Sequence, residues 1–266
     1  MNTRFLLLAT ALAAVCPLSG AGQQRAEAPP ATAALADVFK PGVVFQDRNG
    51  DGAIDFVNAR LVLADSPSSA ELAAAADIAA RLGYETTAMN LPVNVARGFE
   101  AGDTPTIFIG AKALTGSGAS LDALGGAALK AGDGAVAAFS LGGKTAVAVL
   151  GGDDAGIDAA AVMLAGHLPF VWDQKGPTTD KIADEVKQFL AGKGVTASTA
   201  AASAIHVRAG ASDAAERVTI ALQMTNSGDF VKAMVALNQF KATGARDAKR
   251  PLSYAAARSE IGRAHV

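Results

Sequence analysis

The chain has 266 residues, half of them hydrophobic and 18% charged, with a net charge of −2. That length supplies a sizeable core, in one large domain or two small ones. The near-neutral charge excludes recruitment of nucleic acid or anionic membrane by a global field, and 5% aromatics with one Trp give no base-stacking surface.

The first 24 residues, "MNTRFLLLATALAAVCPLSGAGQQ", have the form of an export signal. One early positive charge, Arg4, precedes an apolar run from Phe5 to Val15 and then small residues. The run is too short to cross a bilayer as a helix. Ser19 and Ala21 place cleavage after Ala21, so residues 1–21 are expected to be a signal peptide and the protein to be exported, periplasmic or extracellular. Cys16 suggests lipidation, but Val15 is a poor match to the small residue needed before it. Cleavage removes the only Cys, so the mature chain must be stabilised by packing or by bound ions. Residues 22–39 read as a flexible Ala/Pro/Gln-rich leader.

An α/β domain is expected over 40–172. It opens on "DRNGDGAID", which sets Asp47, Asn49, Asp51 and Asp55 at relative positions 1, 3, 5 and 9, with Gly52 at position 6 and the Ala53 carbonyl at position 7. Calcium takes 6–8 oxygens, and alternate spacing folds such oxygens inward. Asn58 stands where an EF-hand has a bidentate Glu, and a strand follows, so this is no EF-hand. The expected ion is a structural Ca2+, with Asp47, Asn49, Asp51, Ala53 and Asp55 as ligands.

Phe56–Ala64 reads as a strand. The next segment carries a capping box, Ser68 with Glu71, behind Pro67. Its helical face is Leu72, Ala75, Ala76, Ile78, Ala79 and Leu82, with Gly83 as the stop. Thr86–Val93 and Thr104–Leu114 read as strands, and this alternation argues for parallel pairing. Ala135–Leu141 and Thr145–Leu150 flank Gly142-Gly143, a hairpin signal. Gly151-Gly152 then turns the chain into a helix from about Ala155 to His167, capped by Asp153 or Asp154.

A small α+β domain is expected over 173–258. Thr178 or Thr179 caps a helix with Ile182, Val186, Phe189 and Leu190 on one face. After a Thr/Ala/Ser stretch come two alternating strands, "AIHVRAG" and "ERVTIALQMT", and a helix capped by Ser227 or Asp229. Residues 259–266 are expected to be non-native, because "EIGRAHV" matches one reading frame of a sequencing adapter, and the natural protein is expected to continue beyond it. The fold class is therefore α/β, two-layer or three-layer with a mixed sheet, followed by α+β.

Motifs for catalysis are not apparent: there is no metal-binding His motif, G-x-S-x-G or Cys nucleophile. The glycine pairs lack phosphate-loop form and read as turns. "GSGAS", Gly116–Ser120, is a candidate anion site if a helix follows it. His167 suits a helix C-terminus, His206 reads as a strand-face residue, and Trp172 with Phe170 reads as a core anchor.

Two resemblances follow. The loop resembles the "D-x-N-G-D-G-x-x-D" calcium loops of FG-GAP and dockerin-type modules. The order "VLADSPSSAELAAAADIAARLGYE", "TPTIFIGAKAL", "AVAAFSLGGKTAVAVLGGDDAGIDAAAVMLAGHLP" is similar to the accessory α/β domain before the barrel of hexosaminidase-like and α-glucuronidase-like glycoside hydrolases. It also looks like the periplasmic subunit of bacterial cellulose synthase. The hydrolase resemblance implies a non-catalytic domain over about residues 56–170, supporting a downstream barrel. The expected function is an exported accessory or binding domain of a larger protein acting on polysaccharide. The alternatives are the N-terminal part of a secreted, peptidase-like hydrolase whose active site lies further on, or a structural surface protein.

Overall fold

The computed structural model describes residues 33–84, 86, 94–166, 179–210, 217–224, 227–240 and 252–258. The expected signal peptide, nearly all of the strand at Thr86–Val93, the Phe170/Trp172 pair, His167 and the tail at 259–266 lie outside the described residues.

The N-terminal elements are a short helix α1 (Leu35–Val38) and a two-stranded antiparallel ribbon of β1 (Phe45–Gln46) and β2 (Phe56–Val57). The alternating unit follows: β3 (Arg60–Leu63), α2 (Ser69–Tyr84), β4 (Asn94–Arg97) and β5 (Thr106–Ile109). Then come β6 (Asp133–Leu141), β7 (Lys144–Gly151) and α3 (Asp154–Gly166). The last elements are α4 (Thr179–Gly192), β8 (Ala197–Arg208), β9 (Arg217–Met224), α5 (Ser227–Leu237) and β10 (Leu252–Arg258). Eight strands form one sheet in the order β10-β9-β8-β6-β7-β5-β3-β4. β4, β3, β5 and β7 run parallel, β7-β6-β8-β9 alternate antiparallel, and β10 is parallel to β9. The α/β class and the mixed sheet are those expected.

The two sheet faces differ in cover. Leu61, Leu63, Ile107, Ile109, Val136, Val147 and Val149 face one way, into a core shared with buried residues of all five helices. Val62, Phe108, Ala135, Phe139, Ala148 and Leu150 face the other way. Residues 111–130 cover that second face with two 3-10 turns, and Leu114, Leu121, Leu124 and Leu129 pack down on it. Of the two layerings expected, the helices on one face make the two-layer form, with a loop cover in place of a third layer. The sheet and the helix-side core run through both expected domains: β6 pairs with β8 from Asp133↔Arg208 to Ala137↔Ala204, and the core extends from Leu35 to Leu237.

Several elements differ from the sequence reading, each for a local reason. The expected leader at 22–39 ends in structure: α1 buries Leu35 and Val38, and Phe39 follows them into the core. The strand at Phe56–Ala64 is two strands: β2 pairs with β1, and β3 with the main sheet. The strand at Thr104–Leu114 stops at Ile109, because Gly110 turns at φ +83° into the first 3-10 turn. On α2 the buried face is Ala74, Ala75, Ile78 and Leu82, which leaves Leu72 exposed. The Thr/Ala/Ser stretch is the first half of the 12-residue β8. Register shifts at Ala197/Thr199 and Ala202/Ala204 break its alternation, so no period of two is visible there.

The β6–β7 hairpin closes as read, through Gly142 and Gly143 at φ 57° and 78°. Positive φ at both turn residues matches the right-handed twist of paired strands. At the opposite end of the hairpin, α3 approaches without intervening side-chain atoms. A Cβ on Gly134 would overlap the Gly156 carbonyl oxygen, and one on Gly156 would overlap the Asp133 carbonyl oxygen. This contact seats Ile157, Met163 and Leu164 in the core, each contributing on the order of 2 kcal/mol through burial. Gly156→Ala is expected to destabilise the fold by roughly 3 kcal/mol, since backbone must move to admit the methyl. Gly166→Ala, at the far end of the same helix with nothing among the described residues within 4 Å, is expected to be neutral or to stabilise by about 0.5 kcal/mol. Urea denaturation of the two variants checks both; equal midpoints would show that the close approach is not under constraint.

Candidate functional site

The Asp47–Asp55 loop spans the tip of the β1–β2 ribbon. Its base is anchored in the core, since Phe45 and Val57 are paired and fully buried. Alternating oxygens in a tight loop meet the loop's own amides first. Asp47 accepts from the Gly50 N–H at 2.7 Å through Oδ1 and from the Gly52 N–H at 2.8 Å through Oδ2. Asn49 Oδ1 accepts from the Asp51 N–H at 2.9 Å, and Asp51 Oδ1 accepts from the Ala53 N–H at 2.8 Å. Asn49 Nδ2 donates to Asp51 Oδ2 at 3.1 Å, and Asp55 Oδ1 accepts from the Arg48 N–H at 2.9 Å. The Gly52 amide, with smaller help from neighbouring amides and against some desolvation, holds the Asp47 carboxyl below its ordinary value.

The sequence-predicted ligands lie in one loop, and its amides take up their side-chain oxygens: Gly50 and Gly52 those of Asp47, Asp51 that of Asn49, Ala53 that of Asp51 and Arg48 that of Asp55. Among the described residues, no three His, Cys, Asp or Glu side chains converge as a metal-binding group. Asp47, Asp51 and Asp55 are the carboxylates a hard cation would use here, and Asn49 and the Ala53 carbonyl the neutral oxygens. Arg48 turns away from the loop centre: its guanidinium lies 3.1 Å from the centroid of the Phe56 ring, and its Nε donates to Gln46 Oε1 at 3.2 Å.

A second place follows from strand order. β4 and β5 flank β3 on opposite sides, and all three run parallel, so the chain leaves β3 one way and returns on the other. Open α/β sheets bind ligands outside the strand ends at such a switch point. Here the switch point is lined by Asp65, Ser68, Glu71, Gly98 and Gly110. The capping box forms as read: Glu71 N–H donates to Ser68 Oγ at 3.2 Å, and Ser68 N–H donates to Glu71 Oε2 at 2.8 Å. Ser68 Oγ also donates to Asp154 Oδ1 at 2.9 Å, which ties the starts of α2 and α3 together. The Glu71 carboxylate stands where a Gly110 Cβ would be, so a side chain there would displace Glu71, and the φ of +83° itself favours glycine. Sequence reading missed this switch point because it is made by strand order, and no residue motif marks it.

The remaining candidates are resolved individually. Gly116–Ser120 precedes turns and a three-residue 3-10 segment rather than an α-helix, and Ser117 Oγ donates to the Leu114 carbonyl at 2.7 Å, so no helix N-terminus faces an anion there. Asp153, not Asp154, caps α3: its Oδ1 accepts from the Gly156 N–H and from the Gly132 N–H, both at 2.9 Å. Those two amides, Gly132 first, hold the Asp153 carboxyl below its ordinary value. Asp229 is buried and reaches across to the Thr196 N–H at 3.4 Å.

His206 lies on the cover side of β8, opposite Ala135 of β6 and Arg217 of β9. Burial, reinforced by the Arg217 charge and partly countered by Asp133, lowers its pKa to about 4. A shallow open groove beside α5 is lined by Lys193, Val231, Lys232, Val235, Ala236 and Gln239.

No protein-family profile matches the chain, and none of the curated proteins matches it significantly. Among the described residues, no helix is long and apolar enough to cross a membrane.

Ser68→Ala removes the α2 cap and the link to Asp154 together. It is expected to cost about 1 kcal/mol in chemical denaturation. Ser68→Thr, which keeps the oxygen, is expected to recover most of it. No difference between the two variants would exclude the hydroxyl as the source.

Proposed function

We propose that this chain is an exported accessory domain of a larger protein that handles polysaccharide, and that Ca2+ held at Asp47–Asp55 staples its N-terminal edge. The observation that carries the reading is the position of the loop. Its side-chain oxygens are gathered on a ribbon whose base, Phe45 and Val57, belongs to the same core as the sheet. An ion bound there stabilises the whole fold, because it binds the folded loop and not the unfolded chain. The polysaccharide part rests on the resemblance over about residues 56–170, whose strand, helix and hairpin order is that of β3 to α3. Ions take over a stabilising role that disulfides cannot fill once Cys16 is removed.

Calcium is expected to raise the melting temperature relative to EGTA, and Asp47→Ala with Asp51→Ala is expected to abolish the difference. At a free calcium concentration about 100-fold above Kd the gain is roughly 2.7 kcal/mol. Identical melting of the unsubstituted chain in both buffers would remove the staple. Separately, the chain is expected to be retained on at least one of cellulose, chitin and xylan. Retention on none would remove the polysaccharide reading and leave the calcium reading standing.

A further inference from the structure

Among the described residues, the face of the sheet that lacks helices is covered chiefly by residues 111–130, with Phe99 also packed on Phe108, and His206 sits at one margin of that cover. A Cβ on Gly125, in the cover, would lie 3.3 Å from His206 Cε1 and 3.9 Å from Nε2, so the imidazole stands close beside the cover at this glycine. Nδ1 is buried and has no hydrogen-bond partner among the described residues. A neutral ring tolerates this, because one ring nitrogen need not donate. A protonated ring has two N–H donors, and the second would be buried without an acceptor.

Burial and the Arg217 charge oppose protonation of the ring, and Asp133 partly offsets them. Arg217 lies directly across on β9. Asp133 on β6 is the nearby carboxylate, and both of its oxygens are engaged: Oδ1 accepts from Arg208 Nη2 at 2.6 Å and Oδ2 from the Lys130 N–H at 3.2 Å. Arg208, two residues along β8, adds a second positive charge, and the cover itself carries Lys112, Asp122 and Lys130. An imidazolium at this point meets the Arg217 charge, while the Asp133 carboxylate, shared with Arg208 and the Lys130 amide, offsets it only in part.

We infer that His206 is an acid-sensitive latch that holds the 111–130 cover on the sheet while neutral and releases it when protonated. Release uncovers Phe108 and Phe139, whose rings stack on this face with centroids 5.9 Å apart. The closed form keeps His206 neutral down to about pH 4, whereas a freed imidazole titrates near 6.5. Closure is therefore at full strength above about pH 6.5, weakens as pH falls toward 4, and levels off below it. The inference does not depend on the calcium or polysaccharide reading.

Amide hydrogen exchange tests it, with rates corrected for the intrinsic effect of pH. Between about pH 7 and pH 4, protection of the 111–130 amides is expected to fall by roughly 100-fold, while β6 and β7 keep theirs. His206→Gln, which cannot be protonated, is expected to lose that pH dependence. Equal pH profiles in the two proteins, or no loss of protection in the unsubstituted chain, would overturn the latch. The ring signals of His206 in the unsubstituted chain give a second measurement that requires no variant to fold. Titration well below the ordinary histidine value supports the latch, and titration near 6.5 overturns it.

Discussion

The contact of α3 with the β6–β7 hairpin, carbonyl against Cα, is the constraint on which the helix layer depends. Gly134 and Gly156 meet with no side chain between them, Gly151 on β7 is met as closely by the α3 backbone at Ile157, and Gly152 by the Lys130 carbonyl of the cover. Because α3 lies this near the sheet, its Ala160 and Ala161 suffice to fill the space that larger residues occupy elsewhere. α2 packs against α3, and the Ser68–Asp154 hydrogen bond fixes the two helix starts together. Through α2, the position of α3 reaches β3 and the switch point. An Ala-rich and Gly-rich composition, which by itself discriminates little between folds, here has a defined use.

The parts of the fold that were legible in the sequence are those set by short-range chemistry. The capping box at Ser68/Glu71, the Gly142-Gly143 hairpin and the face of α4 formed by Ile182, Val186 and Leu190 depend on neighbours within a few residues. What was not legible depends on distant partners. The irregular register of β8 erases the period that would have marked it. β10 was missed because "LSYAAAR" becomes a strand by pairing with β9, and its sequence carries no strong turn signals. Phe56 and Arg60 belong to different sheets although four residues apart, and no propensity distinguishes them.

The candidate site divides in the same way. Alternating Asp and Asn in the loop announced an inward set of oxygens; in the folded loop those oxygens accept from the loop's own amides. Which amide each oxygen accepts from is a property of the folded turn, where Gly50 and Gly52 at positive φ aim their N–H groups at Asp47. His206 read as a strand-face residue, and it is one. The consequence of that position came only with the cover, since Gly125 is 81 residues earlier in the chain (206 minus 125) and nothing local links the two.

The reversal of direction at β6 gives the sheet two unlike rims. β3, β5 and β7 end, and β6 and β9 begin, at one rim, which holds Asp65, Glu71, Asp153, Asp133, Arg208 and Arg217. At the other rim lie the hairpin tip at Gly142-Gly143, the entry from the β1–β2 ribbon into β3, and the last residue of β10, Arg258. The second rim has charges of its own, Arg60 and the Lys144–Asp103 pair, so the two rims differ in which groups they hold and not in whether they are charged.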